Sequence, residues 1–216
     1  PEEVQIFRTA IDEGVEKAKS DFDRFFNAFA VDRSEVAFRD RAVETPKLDP
    51  ELQERIARFH TLPEGTVGWS LSEFYRIYGF AVPGTEVTPN TYLYFDHDMI
   101  HVISGIAPTG PGEIALGAFQ MAMDDNPVNT FAFFSPLVVH EAGLGTIDDI
   151  VESEHTLARP GAAELLGQEF ERGAKTTGDF AFLDHLLLAE RPLKDVRREF
   201  GVVTPDDPND GHHIFW

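Results

Sequence analysis

The chain has no cysteine. That excludes disulfides, thiolate metal sites and cysteine nucleophiles together, and leaves His and carboxylates as its metal ligands. Basic residues are scarce: 18 Lys and Arg stand against 38 Asp and Glu, for a formal net charge of −20. Nucleic acid is therefore not an expected partner, because phosphate contacts need clustered Lys and Arg. The average surface also repels an anionic membrane, although a local patch can still dock on lipid. The plainer reading of the acidity is solubility in a crowded cytosol. Long apolar runs are missing as well. None reaches the roughly 18 to 20 residues of a bilayer-spanning helix. The nearest, Phe131 to Val139, is interrupted by Ser135 and Pro136. There is no signal-peptide pattern, no Gly-rich phosphate loop and no Ser in a nucleophile elbow.

What is present is a globular pattern. With 216 residues, 42% of them hydrophobic, the chain can build one sizeable core, and a single domain is expected. The periodicity is helical nearly throughout. Val4, Phe7, Ile11 and Val15, then Phe22, Phe25, Phe26 and Phe29, form apolar stripes that predict one long helix over 2–30. Asp49-Pro50 reads as a cap followed by a first-turn proline, with Leu52, Ile56 and Phe59 at helical spacing behind it. Thr66 opens another helix and Gly79 ends it. Thr88-Pro89 repeats the cap-then-proline signature, and its helix should run to about Ser104, with Gly105 just past the end. A loop from Ile106 to Gly110 leads to a helix begun by Pro111 and ended by Asn126-Pro127. Further helices are expected near 128–141, 147–157, 160–175 and 192–200. The segment Thr204 to Gly211 reads as a loop or tail, with Phe215-Trp216 folding back onto the body.

The chemistry concentrates in Asp96-His97-Asp98-Met99-Ile100-His101, followed after eleven residues by Glu113. Residues four apart on a helix lie one above the other, so His97 and His101 share a face. Asp98 is about 100° round from His97 and about 60° from His101 at roughly 100° per residue. Glu113 falls in the first turn of the next helix, where the dipole favours a carboxylate, and the short loop can fold it back beside the histidines. Two imidazoles and one or two carboxylates suit Zn²⁺, Fe²⁺ or Mn²⁺, with an open position for water or substrate. One carboxylate can instead orient a histidine from behind. His97, Asp98, His101 and Glu113 are thus the expected metal ligands and catalytic residues.

The string His97-Asp98-x-x-His101, eleven residues, Glu113 resembles the signature of Coq4, the ubiquinone biosynthesis protein family. Leu62-Pro63-Glu64-Gly65-Thr66-Val67-Gly68 resembles the family's segment ahead of that motif. Phe170-Glu171-Arg172-Gly173 and Arg191-Pro192-Leu193-Lys194-Asp195-Val196-Arg197 resemble its C-terminal blocks. The likeness runs over about 50–205, between an N-terminal extension (1–49) and a tail (206–216). It implies an all-α, single-domain multi-helix bundle with a hydrophobic channel between helices for an isoprenoid tail. It implies one divalent ion, Zn²⁺ first, with Mg²⁺, Mn²⁺ or Fe²⁺ as alternatives. It further implies peripheral contact with a membrane, membership of a biosynthetic complex or a homodimer, and replacement of the C1 carboxyl of a polyprenyl-hydroxybenzoate by a hydroxyl. The acidic first 50 residues lack transit-peptide character and point to a divergent bacterial member, cytoplasmic or peripheral on the inner face of the membrane.

Two other readings compete. One is a non-catalytic isoprenoid carrier or scaffold using the same channel, for which Phe119, Met121, Met123, Phe131, Phe133 and Phe134 are available unless they are ordinary core. The other is an HD-type metal phosphohydrolase built on the His97-Asp98 doublet, which would need His60 and Asp148 or Asp149 as well. His140-Glu141 lacks the following His of a zinc-protease helix and reads as a supporting or core pair. Asp124-Asp125-Asn126-Pro127 reads as a helix end, Glu152, Glu154 and His155 as a solvated face, and His185 as a core or surface histidine. His212-His213 lies in the tail, open to adventitious metal.

Overall fold

The structure is a computed structural model, and it describes residues 49–84, 91–125, 127–142, 154–181 and 183–216. Among the described residues it is all-α, with no strand and only three isolated bridges, Thr66 with Pro192, Ile106 with His213 and Ala142 with Glu154. The α-helices are α1 (Pro50–Ala57), α2 (Val67–Tyr78), α3 (Thr91–Ser104), α4 (Gly110–Met123), α5 (Pro127–His140), α6 (Ala162–Lys175) and α7 (Leu193–Glu199). Short 3₁₀ turns lie at Phe59–Thr61, Thr156–Ala158 and His185–Leu187. No described helix is long and apolar enough to cross a membrane.

The expected stop and start signals act as such. The Asp49 carboxylate accepts from the Leu52 amide at 3.0 Å, capping α1. The Thr66 hydroxyl accepts from Trp69 N at 3.3 Å, and Gly79, left-handed at φ 71°, closes α2. Thr109 caps α4 by accepting from Gly112 N at 3.1 Å. The β-like stretch from Thr91 to Phe95 is helical, as its frame requires. Boundaries differ in two places. Helix α4 ends at Met123, where Asp124 is already extended, three residues short of Asn126-Pro127. Of the helix expected at 147–157, residues 154 and 155 are outside any helix and 156–158 form a 3₁₀ turn. The rest of it, the helix over 2–30, and the Thr88-Pro89 cap lie outside the described residues.

One continuous core joins α2, α3, α4 and the C-terminal segments, with Phe74, Phe95, Phe119, Phe180, Met99 and Ile103 all essentially fully buried. Helix α4 is its centre and packs against both α5 and α6. Two glycines permit those close approaches. A Cβ on Gly173 of α6 would lie 2.2 Å from the Phe119 carbonyl oxygen of α4, and one on Gly117 of α4 would lie 2.5 Å from the Ala132 carbonyl oxygen of α5. That carbonyl is the one from which Pro136, lacking an N–H, withholds the usual helical bond. The approach of Gly117 to Ala132 and Phe133 sets α4 and α5 antiparallel, so the far end of α5, with His140, returns to the level where α4 begins.

Candidate metal centre

His97 and His101 project from one face of α3, and Glu113, in the first turn of α4, meets them. Their donor atoms form a tight triangle. His97 Nε2 and His101 Nε2 are 3.1 Å apart, Glu113 Oε2 lies 3.3 Å from the first, and Glu113 Oε1 lies 3.2 Å from the second. Four ligands at about 2.0–2.1 Å in a tetrahedron lie about 3.3 Å apart, a spacing close to each of these pairwise separations, with Glu113 offering a different oxygen to each histidine. Among the described residues, this is the one trio of His and carboxylate groups close enough to share an ion.

The return of Glu113 has a local cause. Gly105 takes a left-handed turn, φ 74°, directly after α3. The chain then runs through Ile106 and Ala107 to the Thr109 cap, so α4 starts beside the end of α3. The same turn orients His101. Its Nδ1 faces the Ile106 carbonyl at 2.9 Å, and a carbonyl can only accept, so Nδ1 carries the hydrogen. The neutral ring then presents the Nε2 lone pair to the triangle, which is the tautomer a metal requires. Phe74 of α2 stacks on the other side of that ring, centroids 5.6 Å apart. His101 is buried, Glu113 is largely so, and the His97 side chain is 40% exposed, so the triangle opens to the outside along His97.

Electrostatics follow from the crowding. Burial opposes the Glu113 charge, but His101 and His97 outweigh it and hold the carboxyl well below its usual range. Burial likewise opposes protonation of His97, and the bond and charge of Glu113, with Asp98 behind, shift it upward on balance. Both directions describe a site that attracts a cation. The donor set and tautomer fit a divalent ion.

The structure brings together three of the four expected ligands. The fourth, Asp98, lies outside the triangle. It faces Tyr75 of α2, and burial pushes its carboxyl up to about 6 against the pull of His97 and His101. Tyr75, Phe74 and His140 are members of the site environment that the sequence did not mark. His140, buried at the end of α5, has its pKa lowered by burial while the Glu113 charge acts the other way. Its partner Glu141 is structural, accepting from Leu157 N at 2.8 Å.

The remaining candidates are dispersed. His60 is exposed and bonds back to Ala57 O at 2.8 Å, away from the triangle. Asp148, Asp149 and Glu152 lie outside the described residues, while Glu154 and His155 are exposed. His185 is core: Nδ1 meets Asp96 at 2.7 Å and Nε2 the Phe180 carbonyl at 2.9 Å. His213 is not open to adventitious metal, being buried between Asp210 at 2.9 Å and Glu169 at 3.0 Å. Of the proposed channel residues, Phe119 and Met123 are core, Met121 and Phe133 are half-buried, and Phe131 and Phe134 face outward.

No protein-family model matches the chain, and no curated protein does. Among solved structures, one from Nostoc punctiforme described as a "Putative ubiquinone biosynthesis protein" is similar, with 18% identity over 93% of this chain and 95% of that one and a TM-score of 0.49. A likeness this loose carries neither fold, nor residue roles, nor function across.

Proposed function

We propose that this chain is a mononuclear divalent-metal protein of the Coq4 type, holding its ion with His97, His101 and Glu113. On this reading it acts on, or presents, a polyprenylated hydroxybenzoate in ubiquinone-type biosynthesis. The observation that carries the metal reading is the convergence of His97, His101 and the two Glu113 carboxylate oxygens at pairwise 3.1–3.3 Å, with the His101 tautomer already set. The head-group assignment rests on the resemblance of the His97-to-Glu113 string and its flanking blocks to that family. Zn²⁺ is the proposed ion; when bound it supplies a Lewis acid for the carboxylate and its neighbouring oxygen.

The residues divide the work. His97, His101 and Glu113 bind the ion, the Ile106 carbonyl and Phe74 hold His101 in place, and the half-exposed His97 edge is where a ligand enters. Replacing a C1 carboxyl by a hydroxyl removes two electrons from the ring, and none of these side chains accepts electrons. The oxidant therefore comes from outside the chain, in keeping with a protein that positions its substrate within a biosynthetic complex. The test is mass spectrometry of small molecules extracted from the purified protein, alongside elemental analysis. One equivalent of metal with an isoprenoid is the expected result; protein that takes up neither metal nor isoprenoid overturns the reading. Single-turnover CO₂ release from a metal-loaded sample then separates an enzyme from a carrier.

A further inference from the structure

His213 is a buried histidine of the C-terminal tail, outside the metal trio. Each of its ring nitrogens faces a carboxylate: Nδ1 meets Asp210 at 2.9 Å and Nε2 meets Glu169 at 3.0 Å. Glu169, fully buried on α6, also pairs with Arg172, whose guanidinium donates to Ser104 O at the end of α3. A buried polar network with its members satisfied is rigid, so the ring holds the backbone of residue 213 in place. That backbone lies against the turn that follows the metal helix. His213 and Ile106 form an antiparallel bridge, with Ala107 N donating to His212 O at 2.8 Å and Ile214 N donating to Gly105 O at 2.9 Å. These two bonds flank Ile106, so its own carbonyl points away from the tail. It accepts from His101 Nδ1 at 2.9 Å. On the other side of that ring, His101 Nε2 lies 3.1 Å from His97 Nε2 and 3.2 Å from Glu113 Oε1. Hydrogen bonds and short stretches of backbone thus run unbroken from Glu169 through His213 and Ile106 to the metal trio.

We propose that His213 is a positioning residue for the metal ligand His101. Anchored by Asp210 and Glu169, it holds residues 212–214 against the 105–107 turn, and so fixes where the Ile106 carbonyl sits and how the His101 ring is aimed. This rests on the metal reading above and deepens it by giving the tail a part in the same site. The outer partner of a ligating histidine sets its tautomer and orientation, and disturbing such a partner costs about 10- to 100-fold in metal affinity. The Ile106 carbonyl is that partner here. His213 acts on it from one contact further out, so the lower end of the range applies.

The test compares the full chain with His213→Ala and Ile56→Ala, each titrated with Co²⁺ as a visible probe. Ile56→Ala opens a cavity in the core beneath α1, a helix that supplies none of these contacts, and so serves as a destabilised control. Chelator competition reads the Co²⁺ affinity, and the visible spectrum reads the geometry of the ligands around the ion. His213→Ala should bind Co²⁺ about 10-fold more weakly and with an altered spectrum, whereas Ile56→Ala should keep the wild-type affinity and spectrum. His213→Gln, which offers one amide to two acceptors, carries the same comparison where the alanine variant does not fold. Wild-type affinity and spectrum in a folded His213 variant overturn the positioning role while leaving the metal site standing. An equal loss in Ile56→Ala overturns it too, because the effect is then one of stability alone. Wild type that takes up no Co²⁺ overturns both readings.

Discussion

The proposed metal centre predicts a stabilisation that depends on one exposed side chain. His97 is the ligand to remove, because its side chain is 40% exposed and little packing depends on it. His101 is buried against Phe74, so replacing it would confuse ligation with loss of core. With free Zn²⁺ at 100 times its dissociation constant, binding to the native state alone adds about 2.7 kcal/mol. Removing one of three protein donors should weaken the ion at least about 100-fold, beyond the roughly 10- to 100-fold cost of disturbing an outer-shell partner. At the same metal concentration His97→Ala then retains about 0.4 kcal/mol. For a chain of this size about 2–4 °C corresponds to each kcal/mol. Wild type should therefore melt about 5–11 °C higher in Zn²⁺ than in chelator, and His97→Ala only about 1–2 °C higher. Differential scanning calorimetry with and without EDTA measures this. Equal zinc-dependent shifts in the two proteins would refute the triangle as the binding site and place the metal elsewhere.

Asp98 gives a pH-dependent counterpart. Its folded pKa, raised to about 6, exceeds its unfolded value, so the native state binds more protons between about pH 4 and 6 and stability falls as pH rises through that window. Metal-free Asp98→Asn should lack this decline and exceed wild type above pH 6 in urea titrations; parallel pH profiles would contradict the assignment. Zinc affinity should also fall on acidification, because the upward-shifted His97 must lose its proton to bind, and isothermal titration in buffers of different ionisation enthalpy should detect proton release. Gly117→Ala puts a Cβ 2.5 Å from the Ala132 carbonyl oxygen and should cost about 1–3 kcal/mol in urea unfolding. Arg197→Lys should destabilise by about 2 kcal/mol or more, since one ammonium cannot replace a planar fork that reaches the Val102, Ile103 and Phe215 carbonyls at 2.7–3.0 Å; unchanged urea stability would argue against that role.

Features governed by one helix or one short loop were legible in the sequence. The i, i+4 spacing alone puts His97 and His101 on one face, and Pro111 announces the start of the helix that returns Glu113. Asp98 shows where angular reasoning stops. It shares a third of the helix circumference with the histidines, yet its position 100° from His97, on a short side chain, turns it toward Tyr75 on α2 and away from α4. Nothing local distinguishes Tyr75 from the other aromatic residues of α2. Its place beside Asp98 depends on how α2 packs against α3, and that packing is set by Phe74 and the common core. Phe119 was equally ambiguous between core and channel until Gly173 of α6 closed upon its backbone.

The C-terminal blocks that carry the family resemblance acquire a physical role in the same way. Arg172 donates to Ser104 O at 2.7 Å, and Arg197 donates to Ile103 O and Val102 O at 3.0 Å each. Both arginines therefore cap the carbonyl end of α3, where the helix dipole favours cations and the last carbonyls need partners. Burial first, and repulsion from Arg172 second, lower the Arg197 pKa to about 9. Trp216 lies over Arg197, 3.8 Å from guanidinium to ring, and its indole N–H bonds Gly105 O at 3.3 Å. A Cβ on Gly105 would meet that indole nitrogen at 2.1 Å. The tail thus clamps the turn whose Ile106 carbonyl sets the His101 tautomer. Residues some 70 and 95 positions after the metal helix hold it in register without belonging to the donor triangle. A likeness confined to Arg172 and Arg197 would then argue for a shared scaffold around the turn. Shared chemistry has to be argued from His97, His101 and Glu113.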